Sequence, residues 1–264
     1  MRITRITLFV TLTAGAVLAP AQGRLIAVDS SRALYDIDMT SGAKTQFGTV
    51  SSNASTTAGL AYDAASGTMY LTSSGNDSLF TLDLGTGNAT LVGAYGDSSI
   101  VMHGLEWDSS TGTLYGVSGA TTNQNTYRIS TTTGVATAFG NTGLTSFNNL
   151  GYNSDTDTMY MTNSGTDSFY LFNRTTGVPT LIGALGGPTN PNGLAYNPDN
   201  GLMYMVDNST DNLYTIDMST GAATLIGSTG TGNLLGLAYV PVPEPTTMLA
   251  LGLGAAALLR RRKR

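Results

Sequence analysis

One short apolar motif returns five times along the chain at nearly constant spacing. Successive copies begin 45, 45, 44 and 43 residues apart. A period of about 40–50 residues with several short strands in each unit is typical of β-propeller blades. The spacing therefore indicates a repeat architecture before any single residue is considered. The copies read GLAY at 59–62, GLEW at 104–107, NLGY at 149–152, GLAY at 193–196 and GLAY at 236–239.

Four strand-like pieces follow one another inside each unit. In the clearest unit they lie at 59–62, 68–71, 79–83 and 89–93, and their apolar and polar residues alternate. Such alternation, rich in Tyr, Thr, Val and Ile, is typical of short antiparallel strands. A Thr-Gly or Ser-Gly pair separates the third piece from the fourth, where glycine supplies the positive φ of a tight hairpin. No segment of 22–242 has a helical period, so the sequence predicts an all-β fold.

The first and last units are incomplete in complementary ways. The recurring apolar motif is called the landmark from here on. The first unit begins at 24–28 without a landmark strand, and the last landmark, at 236–240, has no strands after it. We therefore predict a five-bladed β-propeller over 22–240, closed by strand exchange between its N- and C-terminal segments, which removes exposed sheet edges. An open solenoid is the alternative, but it needs caps rather than closure. The predicted blades are 24–50 with 236–240, 59–103, 104–148, 149–192 and 193–235.

The first 21 residues have the pattern of a secretory signal peptide. Basic residues open the segment, an apolar stretch follows at 6–18, and Ala19 and Ala21 form an A-x-A cleavage site. We expect the mature protein to begin near Gln22.

The last 24 residues, 241–264, combine three parts in a fixed order. Pro243, Glu244 and Pro245 come first, an apolar run follows at 246–259, and a basic end closes the chain. This order resembles the PEP-CTERM sorting tail of exported bacterial proteins. The resemblance implies export across the inner membrane, transient anchoring there, processing by an exosortase-type enzyme and release to the cell surface or the extracellular space. The basic residues are Arg260, Arg261, Arg262, Lys263 and Arg264.

Length and charge support a short-lived anchor. As a helix, the apolar run would be about 21 Å long, which is shorter than the roughly 30 Å hydrocarbon core of a bilayer. The basic end is expected to stay cytoplasmic and to leave the rest of the chain outside. The alternative interpretation is a simple C-terminal anchor that is not processed.

The repeat itself resembles that of uncharacterised bacterial propellers with units of the type LYxIDxxTGxxTLIG. The segment 213–227 reads LYTIDMSTGAATLIG, and the resemblance covers nearly all of 24–240. It implies the fold and no activity, since propellers host many unrelated functions.

Composition excludes several partners. The whole chain has a net charge of −5, but 22–242 keeps only five cations against 16 acids, a balance of −11. An acidic domain of this kind is a poor candidate for binding nucleic acid or anionic lipid. There is no cysteine, so disulfides and thiol chemistry are excluded.

One copy of the landmark departs from the others. Glu106 stands where the other copies have Ala or Gly, and it is the only glutamate of 22–242. Beside it lie the only histidine, His103, the only tryptophan, Trp107, and Asp108. Local inconsistencies of this kind concentrate at functional sites. We therefore take Glu106, with His103 and Asp108, as the candidate catalytic group at one mouth of the channel. The alternative is a divergent blade whose glutamate merely reaches solvent.

Other chemistry is not indicated. The sequence contains no G-x-S-x-G elbow and no phosphate-binding loop, and one histidine cannot build a His-rich zinc site. We predict no cofactor and no metal; oxygen ligands at 197–200 and 207–211 leave calcium open without matching a recognised calcium loop. The repeated tyrosines are interpreted as packing residues, with a sugar-stacking platform as the alternative.

These observations lead to one functional hypothesis and two rivals. We expect an exported, non-enzymatic propeller, sorted by an exosortase-type enzyme, that binds polysaccharide or surface proteins at the cell surface or in the extracellular matrix. The first rival is a polysaccharide hydrolase or lyase that uses Glu106 and an aspartate across the channel. The second is a structural surface protein without a small ligand.

Overall fold

The computed structural model describes residues 23–119 and 121–242, within which Gly23–Pro241 form one compact unit. Twenty strands make five antiparallel, four-stranded sheets. The predicted signal peptide, the Pro243–Pro245 signal, the hydrophobic helix at 246–259 and the basic end lie outside the described residues. No helix of the described residues is long and apolar enough to cross a membrane.

The sheets are named blades I to V in chain order. Blade I contains β1 (Arg24–Asp29), β2 (Ala33–Ile37), β3 (Lys44–Thr49) and β20 (Leu234–Val240). Blade II contains β4 (Thr57–Asp63), β5 (Thr68–Ser73), β6 (Ser78–Leu82) and β7 (Ala89–Ala94). Blade III contains β8 (Met102–Asp108), β9 (Thr113–Ser118), β10 (Asn125–Ile129) and β11 (Ala136–Asn141). Blade IV contains β12 (Asn148–Asn153), β13 (Thr158–Asn163), β14 (Ser168–Phe172) and β15 (Pro179–Ala184). Blade V contains β16 (Pro191–Asn197), β17 (Leu202–Asp207), β18 (Asn212–Ile216) and β19 (Ala223–Ser228).

Blade I closes the ring with strands from both ends of the chain. Strand β20 pairs antiparallel with β1, from Arg24 opposite Val240 to Asp29 opposite Leu234. The innermost strands then pack against one another all the way round, β4 with β8, β8 with β12, β12 with β16, β16 with β20 and β20 with β4. The prediction of a five-bladed all-β propeller closed by strand exchange is confirmed.

The landmark leucines plug the centre of the ring. Each innermost strand contributes one leucine, and all five are 1–3% exposed. The space between them along the ring axis is too narrow for a water molecule. Burying a leucine side chain contributes about 1.5–3 kcal/mol, and each of the five belongs to a different one of the five core clusters. The leucines are Leu60, Leu105, Leu150, Leu194 and Leu237.

A glycine contact joins neighbouring blades at the rim. The turn glycine Gly134 of blade III has a φ of +76°, as expected for a tight hairpin. A β-carbon there would lie 2.2 Å from the carbonyl oxygen of Gly93 in blade II. Gly221 of blade V has a φ of +81° and meets Gly183 of blade IV in the same way. The turn glycine therefore serves both the hairpin conformation and the close approach of two backbones.

Candidate functional site

The ends of the innermost strands surround a blind cavity at one mouth of the ring. The cavity has a volume of about 140 Å³ and is closed at its inner end by the leucine column. One aromatic residue from each blade lines it, and each of these residues ends a copy of the landmark motif. The five are Tyr62, Trp107, Tyr152, Tyr196 and Tyr239.

Hydroxyl bonds to the turns hold three of these tyrosines in place. Tyr196 donates to Oδ2 of Asp155 in the preceding blade at 2.7 Å. Tyr239 donates to Asp199 across the next blade boundary. Tyr152 donates to Oδ1 of Asp157 within its own blade at 2.7 Å. The hydroxyls of these three side chains are therefore already committed to carboxylates, and the cavity is bordered by π-systems with nearby negative charge.

Glu106 lines the same cavity, in the slot that Ala195 occupies in blade V. Its Oε1 accepts a hydrogen bond from the backbone amide of Trp107 at 2.9 Å. Burial raises the pKa of Glu106 to about 8, because the bonds from the backbone amides of Trp107 and Tyr152 offset the loss of hydration only in part. The carboxyl therefore keeps its proton at neutral pH.

His103 does not share this site. It lies at a β-bulge of β8, between Met102 and Gly104, which have partners on β9. Its ring stacks on Phe147 with 4.2 Å between centroids. Burial lowers the pKa of His103 to about 4, so the imidazole is neutral at pH 7. The cavity at the mouth is lined by Glu106 and not by His103.

Asp108 is committed to a structural ion pair. Its Oδ2 lies 2.5 Å from Nη1 of Arg174 in blade IV, and its Oδ1 accepts from the amide of Ser110 at 2.9 Å. Nη1 of Arg174 also lies 2.9 Å from Oδ1 of Asp157. Burial favours the protonated form of Asp108, but hydrogen bonds from Ser110, Arg174 and Thr111 outweigh it and hold its pKa below the usual value. Asp108 is thus a fixed negative charge beside the mouth.

Of the three predicted site residues, the structure places only Glu106 in the cavity. The sequence predicts packing for the repeated tyrosines, with a sugar-stacking platform as the alternative, and the structure places one aromatic residue from each blade around Glu106. The role of Arg174 had no sequence signal, because its partner Asp108 lies 66 positions earlier in the chain. No cluster of three or more metal-ligating side chains occurs in the described residues.

A second, wider depression lies on blade II. This groove has a volume of about 550 Å³ and is bordered by β5, β6 and the turn that follows β6. Its lining includes polar side chains that carry hydroxyl, amide and carboxylate groups. These are Thr68, Thr81, Asp83, Asn88 and Thr90.

The comparisons with known proteins identify the C-terminal segment. Residues 241–264 match the PEP-CTERM protein-sorting motif. This segment is a PEP-CTERM sorting motif. The motif implies export of the chain and processing by an exosortase-type enzyme, as predicted. None of the curated proteins matches the chain.

Solved structures share the fold at low sequence identity. A chain of a nidogen/laminin complex is similar with a TM-score of 0.59 and 13% identity, over 83% of this chain and 98% of that one. A protein of unknown function from Bacteroides thetaiotaomicron has a TM-score of 0.58 and 18% identity, over 79% and 59%. Virginiamycin B lyase from Staphylococcus aureus has a TM-score of 0.50 and 14% identity, over 78% and 70%. At these identities the likeness extends to the fold alone.

Proposed function

We propose that the mature propeller is a non-enzymatic binding and structural module at the cell surface or in the extracellular matrix, where it holds polysaccharide or surface proteins. The observation that carries this proposal is the separation of the three candidate catalytic groups. Glu106 lines the mouth, His103 stacks on Phe147, and Asp108 is bound by Arg174. General acid–base catalysis needs positioned groups within reach of one reacting centre, and of these three only Glu106 lines the cavity.

The groove on blade II supports polymer binding. The mouth is blind and small, so a polysaccharide cannot pass through the ring, whereas the groove is open and about 550 Å³ in volume. Its hydroxyl, amide and carboxylate groups offer hydrogen bonds of the kind that sugar hydroxyls accept and donate.

The test uses residues 22–242, which contain all twenty strands of the closed ring. The fragment is co-sedimented with the extracellular polysaccharide of its host while polymer length is followed. We expect binding with unchanged polymer length. Thr90→Arg, which fills the groove, should weaken binding at least tenfold. Thr180→Arg, at the corresponding exposed position of β15, is the matched control and should bind normally. Absence of binding to polysaccharide and to surface proteins would reject the proposal.

A polysaccharide hydrolase or lyase is the second candidate, favoured by one observation. The raised pKa of Glu106, about 8, keeps the proton that a general acid must donate at neutral pH. Shortening of the polymer by the fragment, lost in Glu106→Gln, would establish this activity and overturn the non-enzymatic proposal.

A further inference from the structure

The mouth cavity has two features that act together on one kind of ligand. Its walls carry four tyrosines and one tryptophan, and its single acidic lining residue is Glu106. Aromatic faces attract cations through their quadrupole, most strongly where the site is desolvated. A carboxyl group beside them supplies a compensating charge.

No cation of the described residues pairs with Glu106. The guanidinium of Arg174 is held instead by Asp108 and Asp157. Asp155 and Asp199 lie on the turns beside the mouth and add negative charge there. The Arg174 guanidinium also lies over the ring of Tyr152, 5.5 Å from its centroid. Among the described residues, no cation lies over the ring of any of the other four aromatic side chains of the mouth.

Size narrows the ligand further. A volume of about 140 Å³, closed at the inner end, admits a compact group but not a polymer threaded through the ring. Tyr152, Tyr196 and Tyr239 are only 7–8% exposed, so a ligand in the cavity contacts only the small exposed part of each of these rings. Small size, aromatic walls and an unpaired carboxyl group favour a compact cation over a carbohydrate.

We propose that the mouth of the ring is a binding site for a small organic cation, with its ammonium group beside Glu106 and between the aromatic side chains. This goes beyond the proposed surface-binding function and does not depend on it, because the mouth and the polymer groove share only Tyr62 among their lining residues.

The proton on Glu106 makes binding depend on pH in a defined direction. The carboxyl of Glu106 is protonated below about pH 8, so a cation that needs the carboxylate must displace a proton at pH 7. Affinity should then rise about tenfold per pH unit up to pH 8 and level off above it. The pKa values of the surrounding Tyr152, Tyr196 and Tyr239 are raised by burial. Those of Asp108 and Asp157 are lowered, so none of these five groups titrates in the same window.

Trp107 provides a direct readout, because it is the only tryptophan of the chain and lines the cavity. Residues 22–242 are titrated with choline chloride and with tetramethylammonium chloride at pH 6, 7, 8 and 9, following Trp107 emission and heat. We expect a saturable response that strengthens with pH. Calorimetry at pH 7 in two buffers of different ionisation enthalpy should show release of close to one proton per cation bound.

The variants separate the cation site from an unspecific charge effect. Glu106→Gln should weaken binding at pH 9 at least tenfold and abolish its pH dependence. Asp97→Asn removes a carboxylate from a turn outside the cavity and should leave binding unchanged. The neutral isostere 3,3-dimethylbutan-1-ol should bind at least tenfold more weakly than choline at pH 9.

Three outcomes would overturn the inference. One is the absence of a saturable response at pH 9. Another is equal binding of choline by Glu106→Gln, with its circular dichroism and unfolding temperature showing that the variant is folded. The third is tighter binding of a neutral monosaccharide than of choline, which would make the mouth a sugar site.

Discussion

In blade V the innermost strand β16 brings Ala195 and Tyr196 to the mouth of the ring, whereas in blade III strand β8 brings Glu106 and Trp107 there. The strand pairing is equivalent in both: Ala195 pairs with Tyr204 and Glu106 with Tyr115. At this position Ala195 belongs to the hydrophobic core cluster between blades V and I, whereas Glu106 places a carboxyl group there. The comparison teaches that one strand pairing accommodates either a packing residue or an ionisable group at the mouth.

A second substitution accompanies the first. Tyr196 donates its hydroxyl proton to Asp155 in the turn of the preceding blade. The residue that corresponds to Asp155 on the blade before Trp107 is Ala65, which lines the cavity without a polar side chain. Blade III has therefore exchanged an interblade hydrogen bond for an indole ring and an ionisable group beside it.

The turn glycines of blades III and V both approach the backbone of the preceding blade closely. Replacing one of them should have the largest effect on the free energy of unfolding. Gly134→Ala combines a positive φ of +76° with a contact at 2.2 Å, so we expect the free energy of unfolding to fall by about 2–5 kcal/mol. Gly221→Ala, with its nearest contact at 2.9 Å, should fall in the same range or slightly below it. Urea denaturation of residues 22–242 measures both.

Gly112 is the matched control for the rim. Its φ is +64°, but a β-carbon there meets nothing within 4 Å. Gly112→Ala should therefore lower the free energy of unfolding only by the backbone term, about 1–2 kcal/mol. If Gly134→Ala proves no worse than Gly112→Ala, the close approach of the blades does not matter for stability.

The next effect concerns the mouth, where the blades differ. The pKa of Glu106 rises from 4.5 to about 8 on folding, so the folded state binds the proton more tightly. The contribution of Glu106 to the free energy of unfolding is then fully present below pH 4.5 and is lost as pH rises toward 8. The free energy of unfolding of Glu106→Gln, relative to that of the natural chain, should therefore increase by up to about 1.4 kcal/mol for each unit by which the pH rises. Thermal unfolding from pH 6.5 to 8 measures the difference.

That window avoids the opposite contribution of His103. The pKa of His103 falls from 6.5 to about 4 on folding, so its contribution is present above pH 6.5 and is lost as pH falls toward 4. Between pH 4.5 and 6.5 the two groups nearly cancel. Asp97→Asn, outside the cavity, should show no such trend above pH 6.5. A flat difference between Glu106→Gln and the natural chain would mean that Glu106 is hydrated like a surface glutamate.

The smallest effect is expected at Asp108, where the regular blades IV and V have Asn153 and Asn197. Asp108→Asn keeps an oxygen for the turn amides but loses the charge that faces Arg174, so it should lower the free energy of unfolding by about 1–2 kcal/mol. Asp63→Asn, at the corresponding position of blade II, caps Ala65 and has no arginine partner among the described residues. It should change stability by less than about 0.5 kcal/mol. Equal effects of the two variants would show that the ion pair contributes nothing.

Much of the fold was predictable because it depends on local patterns. The 43–45 residue period, the alternation within each strand and the positive φ of the turn glycines act over a few neighbouring residues. The site was predictable only in part. Glu106 stood out against Ala61 and Ala195 in the sequence, but nothing there separated it from His103, three positions away, which a β-bulge and Phe147 place outside the cavity.

The sequence by itself determined the blades, their order and their closure, since complementary end fragments leave one way to complete a fifth sheet. It also carried the sorting motif at 241–264. Only the tertiary structure decided that the five leucines close the centre of the ring and that Glu106 lies in a blind cavity lined by aromatic side chains. It also decided that Arg174 forms an ion pair with Asp108. The physical reason is distance along the chain: strand and turn preferences are set by adjacent residues, whereas the hydration of a carboxyl group depends on blades that meet only when the ring closes.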